Sequence, residues 1–180
     1  ASVIERQVSH MARLVDDLVD TARIERGTLS LQLEPVDVRD VLATAVDMVL
    51  PSVSHREQSF AWEPAGAPML VSGDRVRLQQ VFSNLLLNAS KYTPAGTRVW
   101  IEFAHGGDLL RVLVRDSGPG IPESQRERIF EKFAQVDEVG AGRSHSSGIG
   151  LAFCRLAIGV HGGRIGVECP AEGGSSFWFE

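Results

Sequence analysis

The sequence lacks basic clusters and long apolar stretches, and each absence excludes a class of protein. Its 180 residues carry a formal net charge of -5, and without any run of Lys or Arg a nucleic-acid-binding surface is not expected. No apolar run approaches the ~20 residues that a membrane-spanning helix needs, and no signal peptide opens the chain. We therefore expect a cytoplasmic protein, or the cytoplasmic part of a membrane-anchored sensor, with no direct membrane contact of its own.

Cysteine is also scarce. Cys154 and Cys169 lie in apolar segments without the spacing of metal ligands, so we expect both to be reduced and in the core. Glycine, by contrast, is frequent between Gly118 and Gly174, which predicts loops with unusual backbone conformations. The chain does not begin with Met and starts within a predicted helix, so we expect it to be part of a longer protein.

Residues 1–25 contain neither Gly nor Pro and predict one long helix. Its apolar residues alternate in spacings of four and three, which is a heptad seam. Such a seam can pack on its own domain, but we favour a partner helix, in the same chain or in a dimer. Gly27 ends the helix, and we interpret 1–27 as one region, 28–36 as a connector closed by Pro35, and 37–180 as a second domain. The seam consists of Ile4, Val8, Met11, Val15, Leu18 and Ala22.

Three further helices are predicted by helical periodicity. Asp37 caps the first, which Pro51 kinks or ends, although a continuation to about His55 is possible. The second runs over 74–92 and the last over 149–161. The first helix buries Val38, Val41, Leu42, Ala45, Val46 and Val49, and the second buries Val76, Val81, Phe82, Leu85, Leu86 and Ala89.

Strand patterns occur in pairs between these helices. We expect each pair to form a hairpin, which gives an α+β two-layer sandwich with a mixed, mainly antiparallel sheet covered by helices on one face and preceded by one long helix. A short helix is also expected at 122–133, and a loop at 134–147. The paired segments are 58–63 and 69–72, 98–104 and 109–115, and 164–169 and 175–180.

The helix over 74–92 carries a polar edge as well as an apolar face. Asn84, Asn88, Lys91 and Tyr92 fall at i, i+4, i+7 and i+8, along one side. Amides are poor residues for mid-helix positions. This edge is therefore either a solvated helix face or a binding site.

Two glycine motifs follow. Asp116 begins D-S-G-P-G-I-P directly after a strand, where glycines allow a ligand to approach the backbone and the carboxylate can accept a hydrogen bond from an exocyclic amine. Gly148 and Gly150 open the last helix, whose N–H groups suit a phosphate. Between these motifs, Phe130 and Phe133 are predicted to pack in the core and to anchor the following loop.

Together these motifs resemble the catalytic ATP-binding domain of bacterial two-component sensor histidine kinases, a branch of the GHKL ATPase superfamily with a Bergerat-type fold. Residues 84–89 match its N box, 116–120 its G1 box, 130–133 its F box and 148–151 its G2 box. Residues 1–25 resemble the second helix of the dimerisation and phosphotransfer region.

The resemblance implies a role for each matched position. Asn88 would ligate Mg²⁺, a hard cation that prefers oxygen, and Asn84 would lie near the phosphates of ATP. Lys91 and Tyr92 would contact the nucleotide, and Asp116 would recognise the adenine amino group. The implied nucleotide-binding residues are Asn84, Asn88, Lys91, Tyr92, Asp116, Gly118, Gly120, Ile121, Phe133, Ser147, Gly148, Ile149, Gly150 and Leu151, and the implied catalytic residues are Asn84, Lys91 and Arg128.

The sequence departs from the family pattern in three places. His10 lacks the H-E-x-R-x-P context of a phospho-acceptor, so we expect the acceptor His on a helix before Ala1. Gln135 replaces an Arg that reaches the γ-phosphate in many relatives, and Arg128 or Arg143 could substitute. Asn84 stands where hydrolytic relatives carry a Glu, and a neutral amide cannot take a proton from water.

The expected function is an ATP-dependent histidine autokinase that needs Mg²⁺, passes phosphate to a receiver-domain Asp of a response regulator, and forms a homodimer in the full-length protein. The chain alone would be inactive because it lacks the acceptor His. Two alternatives stay open: a degenerate kinase that serves as a dimerisation or docking module, and a hydrolytic GHKL ATPase, against which Asn84 argues.

Overall fold

Strands and helices alternate along most of the chain. The structure is a computed structural model that describes residues 8, 11, 15, 18–24, 26–27, 30–62, 67–134, 148–171 and 173–180. Within these residues, no helix is long and apolar enough to cross a membrane. The elements are β1 (Glu34–Asp37), α1 (Val38–Val53), β2 (Ser59–Ala61), β3 (Leu70–Gly73), α2 (Arg75–Tyr92), β4 (Arg98–Gly106), β5 (Leu109–Asp116), α3 (Gly150–Val160), β6 (Ile165–Glu168) and β7 (Ser175–Phe179).

The described strands form two sheets. The larger has the order β2-β4-β5-β7-β6, and all its pairs are antiparallel except β2 with β4. The smaller pairs β1 with β3. The helices cover one face of the larger sheet, where Phe82 of α2 meets Phe179 of β7 edge to face at 5.4 Å between ring centroids, while Trp100 on β4 is 44% exposed. The predicted α+β two-layer sandwich is confirmed.

The predicted pairing of the first two strand segments is wrong. β2 pairs in parallel with β4, so that Phe60 lies opposite Val99. β3 instead pairs with β1, with Val71 opposite Val36. The parallel alignment follows because β2 reaches β4 across α2, through a crossover connection rather than a tight turn. Residues 34–36, which we expected in the connector, therefore belong to a strand, while the proposed domain boundaries stay predictions.

α1 begins and ends as its sequence suggests. Asp37 caps it by accepting the N–H of Arg39 at 3.1 Å, and its six predicted apolar residues are all buried. Pro51 lies inside the helix, which continues to Val53 and then tightens into a 3₁₀ turn over Ser54–Arg56. The helix thus passes the proline by less than one turn, because the missing N–H removes only one bond of the ladder.

α2 is anchored at its start by Asp74, whose carboxylate accepts the N–H groups of Val76 and Arg77. The predicted apolar face is buried from Val81 to Ala89, but Val76 is 64% exposed. The prediction for Val76 is wrong because the buried stripe begins at Leu78, on the neighbouring side of the first turn.

The prediction of a helix at 122–133 is wrong. The segment forms 3₁₀ turns at Glu123–Gln125 and Arg128–Phe130. Its bonds are the tighter i to i+3 type, as in Phe130 N–H to the Glu127 carbonyl at 3.3 Å. Glu131 then turns to an extended conformation, which prevents a longer helix.

The N-terminal helical segment, residues 18–24, packs on the domain with one side only. Asp20, Thr21 and Ile24 are buried, and Asp20 forms a salt bridge with Arg77 of α2. The described seam residues on the other side are exposed: Val8 by 60%, Met11 by 63%, Val15 by 58% and Leu18 by 45%. The described part of the domain therefore leaves these four seam residues uncovered, whereas the seam residue Ala22 is half-buried. The rest of the predicted helix, including His10, lies outside the described residues.

Candidate functional site

Three elements converge at one edge of the molecule: the second half of α2, the loop after β5, and the start of α3. A Cβ atom built on Gly150 would lie 3.3 Å from the Asn84 Oδ1 atom, and one built on Gly118 would lie 2.7 Å from the Tyr92 carbonyl oxygen. The backbones therefore approach α2 at distances that leave little room for a side chain. The N-box, G1-box and G2-box matches thus form one cluster.

Asp116 is the last residue of β5, within this cluster, and it is buried. Its Oδ1 atom accepts N–H groups from Gly118 at 2.8 Å and from Ser175 at 3.2 Å. Among the described residues, no group donates to Oδ2, which leaves an acceptor for a ligand. Burial raises the pKa of the Asp116 carboxyl, and the two backbone hydrogen bonds oppose this shift without cancelling it.

The polar edge of α2 is half-buried along its length. The Asn84 Nδ2 atom is buried and has no hydrogen-bond partner among the residues that the structure describes, so a donor is left for an acceptor such as a phosphate oxygen. One turn later Asn88 offers a neutral amide oxygen, a ligand type that Mg²⁺ accepts. The described residues contain no group of three or more His, Cys, Asp or Glu that could hold a metal. Any Mg²⁺ here would take its other oxygens from phosphate and water, which is the usual pattern for this ion.

Lys91 and Tyr92 end the polar edge. The Lys91 Nζ atom lies 3.2 Å from the Tyr92 hydroxyl and 4.8 Å from the centroid of its ring. The ammonium therefore lies beside the phenol in the last turn of α2, directly before the C-cap residue Thr93. This places a positive charge on the same helix edge as the two amides.

The ends of the segment 135–147, which is not described, are joined. The Phe133 N–H donates to the Gly148 carbonyl at 3.0 Å. Phe133 has a φ of 61° and Gly148 a φ of 66°, and a Cβ on Gly148 would lie 2.7 Å from the Phe133 backbone. Gly148 is thus required by both conformation and space. Phe130 is buried and contacts Phe177 edge to face, but Phe133 is 65% exposed, so its predicted core packing is wrong.

The remaining predicted residues differ in how close they lie to this cluster. Gly120 and Ile121 lie in the loop that follows Asp116, residues 117–122, which we call the Asp116 loop. The Ile121 N–H donates to Cys169 Sγ at 3.2 Å. Ile149 is buried and Leu151 half-buried at the start of α3. Arg128 is exposed on its 3₁₀ turn, and no contact with the cluster is described for it. Ser147, Gln135 and Arg143 lie outside the described residues.

Sequence reasoning missed the strand β7 side of the cluster. Ser175 donates its N–H to Asp116, and a Cβ on Gly174, which has a φ of 83°, would lie 2.1 Å from the Asp116 carbonyl oxygen. The glycine pair Gly173-Gly174, directly before β7, is the sequence feature that could have indicated this close approach. Cys169 is free but only half-buried, not fully buried as expected, while Cys154 is buried.

A separate cavity of about 370 Å³ lies at the opposite ends of these elements. Leu110 of β5, Leu78 of α2 and Ile158 of α3 contribute to its lining, together with His161. It contains none of the predicted site residues, so the sequence motifs and the cavity mark different parts of the molecule.

Comparisons with known proteins show to which family the chain belongs. The family model described as histidine kinase-, DNA gyrase B-, and HSP90-like ATPase matches residues 73–180. The chain belongs to this family. It is an ATP-binding domain of the GHKL superfamily, of the kind found in sensor histidine kinases.

Sensor kinases are among the proteins to which this chain is similar. It is 32% identical over 175 residues to the alginate biosynthesis sensor protein KinB of Pseudomonas aeruginosa, with 97% of this chain and 29% of KinB covered. Full-length ShkA in complex with AMPPNP matches with a TM-score of 0.76 and 32% identity, over 94% of this chain and 35% of ShkA. The mycobacterial sensor histidine kinase MprB matches with a TM-score of 0.71 and 29% identity, over 82% of this chain and 95% of that one. The chain thus spans less than a third of the length of KinB.

Proposed function

We propose that this domain binds Mg·ATP and transfers the γ-phosphoryl group to a His on a helix outside this sequence, from which it passes to a receiver-domain Asp. The observation that carries the proposal is the buried Asp116 carboxylate. It keeps one oxygen free for an exocyclic amine, at the end of a cluster that continues along α2 to a free amide donor and an ammonium.

Each polar side chain has a distinct role in this proposal. Asp116 accepts the adenine amino group, and Asn84 and Lys91 donate to phosphate oxygens. Asn88 is the metal ligand; bound Mg²⁺ would neutralise negative charge on the phosphates. Arg128 is our candidate for the γ-phosphate, with Arg143 as the alternative. The glycines Gly118, Gly120, Gly148 and Gly150, together with Tyr92, Ile121, Phe133, Ser147, Ile149 and Leu151, line the nucleotide site.

Asn84 also bears on what the phosphate is given to. Hydrolysis needs a general base near the attacking water, and a neutral amide cannot serve as one at pH 7. Transfer to the imidazole of a His needs no such base, because a neutral imidazole nitrogen is itself a nucleophile. The amide therefore favours a phosphotransferase over the hydrolytic ATPase.

The exposed seam supports a dimer in the full-length protein. Val8, Met11, Val15 and Leu18 present apolar side chains at heptad spacing that this domain leaves uncovered. The same surface supports the second candidate, a docking module without catalysis. A response regulator is the proposed phosphate acceptor, and the cytoplasm, where ATP and receiver domains occur, is the proposed compartment.

Calorimetric titration with ATP and Mg²⁺ separates a nucleotide-binding domain from a docking module. We expect saturable binding; its absence at millimolar ATP would end the kinase proposal. A longer chain that includes the preceding helix should then become phosphorylated in an acid-labile, base-stable form. Steady release of inorganic phosphate without that modification would instead identify an ATPase.

A further inference from the structure

The C-terminus of α2 is held by side chains from another part of the chain. The last carbonyls of a helix have no partners within it and must find them elsewhere. The Gln58 Nε2 atom lies 3.0 Å from the Ser90 carbonyl oxygen, 2.9 Å from that of Thr93 and 3.0 Å from that of Pro94. In return, the Ser90 hydroxyl donates to Gln58 Oε1 at 2.5 Å.

Arg56 adds a second set of bonds to the same turn. Its Nη2 atom lies 3.3 Å from the Lys91 carbonyl oxygen and 3.0 Å from that of Thr93. Its own carbonyl accepts the N–H of Gly96 at 2.9 Å. The segment before β2 therefore contacts the end of α2 on both sides of Lys91 and Tyr92.

This arrangement replaces the usual way in which a helix ends. Many helices stop at a glycine in the left-handed conformation, whose N–H satisfies the last carbonyls. Here Thr93 is extended, with a φ of -86° and a ψ of 140°, and the side-chain amide of Gln58 takes over that task. Gln58 is 8% exposed, and Ser90 and Thr93 are each 1% exposed, so water cannot readily substitute for the amide.

The residues between these bonds are the ones that end the polar edge of the site. Lys91 and Tyr92 lie within the turn, and the Tyr92 carbonyl also faces Gly118 of the Asp116 loop. A change in the direction of the last turn would therefore move the Lys91 ammonium relative to Asp116. Asp116 ends β5 and also accepts the Ser175 N–H of β7, so we expect these strands to keep it in place.

We infer that Gln58, assisted by Arg56, is a positioning residue that fixes the phosphate-binding end of α2. It sets the affinity for the phosphates of the nucleotide and leaves recognition of the base to Asp116. This inference rests on the proposed function, because it takes Lys91 as a phosphate contact. A purely structural Gln58 would lower stability and weaken all ligands by the same factor, which makes the two roles separable.

The test compares Gln58→Met, which keeps the length of the side chain but removes its hydrogen bonds, with the exposed control Gln32→Met. ATP and adenosine are titrated against each variant. We expect Gln58→Met to bind ATP roughly tenfold more weakly, with adenosine affinity unchanged within about twofold. The control should match the wild type for both ligands.

A double-mutant cycle with Lys91→Met tests whether Gln58 acts through Lys91. In the Lys91→Met background, Gln58→Met should weaken ATP binding by less than about twofold. Arg56→Met, a less buried substitution on the same turn, should show the same selectivity for ATP at roughly threefold, and decides the matter if Gln58→Met does not fold.

Equal losses for ATP and adenosine in the folded variants, or fully multiplicative effects in the cycle, would overturn the inference while the proposed function stands. Failure of the wild type to bind ATP would overturn both.

Discussion

The His161 side chain accepts the backbone N–H of Asp74 through Nε2, at 2.9 Å. Because Nε2 accepts, Nδ1 carries the proton and donates to the Ala157 carbonyl at 2.7 Å. Asp74 in turn caps α2 and accepts the Gln32 N–H at 3.0 Å. One imidazole thus joins the end of α3 to the beginning of α2.

Replacing this imidazole should lower stability without affecting the nucleotide site. His161→Ala leaves the backbone N–H of Asp74 without its partner and removes one of the two donors to the Ala157 carbonyl, which we expect to lower the free energy of unfolding by about 1–3 kcal/mol. Urea denaturation measures this change. The exposed His105→Ala is the control, with an expected change of less than about 0.5 kcal/mol. If the two variants are equally stable, the bridge contributes nothing.

Asp116→Asn should abolish ATP affinity and keep the fold. The amide oxygen can still accept from Gly118 and Ser175, but an amine now points at the position where the adenine amine would donate. Calorimetric titration and circular dichroism test the two halves of this prediction. Asp108→Asn, in the exposed β4–β5 turn, is the matched control and should bind ATP normally. ATP affinity retained in Asp116→Asn would refute the adenine role.

The same substitution has a pH signature. Burial raises the pKa of Asp116, so the folded state holds this proton more tightly than the unfolded state. This tighter binding of the proton stabilises the folded state. The stabilisation is fully present below the pKa of Asp116 in the unfolded chain and is lost as the pH rises through its raised pKa in the folded state. Asp116→Asn has no such proton and does not lose this stabilisation. The melting temperature of the variant minus that of the wild type should therefore increase as the pH rises from about 4 to 7. A relative loss of melting temperature over that range contradicts the prediction.

Gly118→Ala should damage the site through its backbone. The added Cβ would lie 2.7 Å from the Tyr92 carbonyl oxygen and 2.9 Å from Asp116 Oδ1, so the loop has to move. We expect ATP affinity to fall more than about tenfold, with a stability loss of about 1–3 kcal/mol. Gly106→Ala, where a Cβ meets open space, should leave both quantities unchanged. Equal ATP affinity in the two variants would show that the loop adapts freely.

Asn88→Ala should remove the dependence of ATP binding on Mg²⁺. In the wild type, ATP affinity should be higher with Mg²⁺ than with EDTA, because the Asn88 amide oxygen would hold the metal and the metal would offset the negative charge of the phosphates. The variant should bind ATP with similar affinity in both conditions and unfold near the wild-type temperature. A preserved Mg²⁺ effect would count against Asn88 as a ligand.

The sequence predicted the helices and the sandwich well because periodicity reports which side of an element is buried. The buried face of α1 and the cap at Asp37 followed directly from that pattern. It reports nothing about partners, and so the parallel pairing of β2 with β4 was missed. Alternation also failed to separate β1 from a connector, since a short edge strand and an extended linker have the same spacing.

Motifs could predict only those site residues that act through their side chains, because a motif specifies side-chain identity. Asn84 and Asp116 are such residues. Ser175 was missed because it acts through its backbone N–H, which any residue but proline provides. Phe133 was placed in the core on spacing alone, yet its positive φ turns the side chain outward, and a backbone angle leaves no trace in the pattern of apolar residues.

The pairing of β1 with β3 has a practical consequence for the size of the smallest soluble ATP-binding fragment. A fragment that starts at residue 38 would leave β3 with an open edge beside Leu70, which is 65% exposed, and would lack Val36 and the Gln32 bond to Asp74. Unprotected edges pair with other chains and promote aggregation. We therefore predict that a stable fragment has to extend back at least to residue 32, six positions before α1 begins.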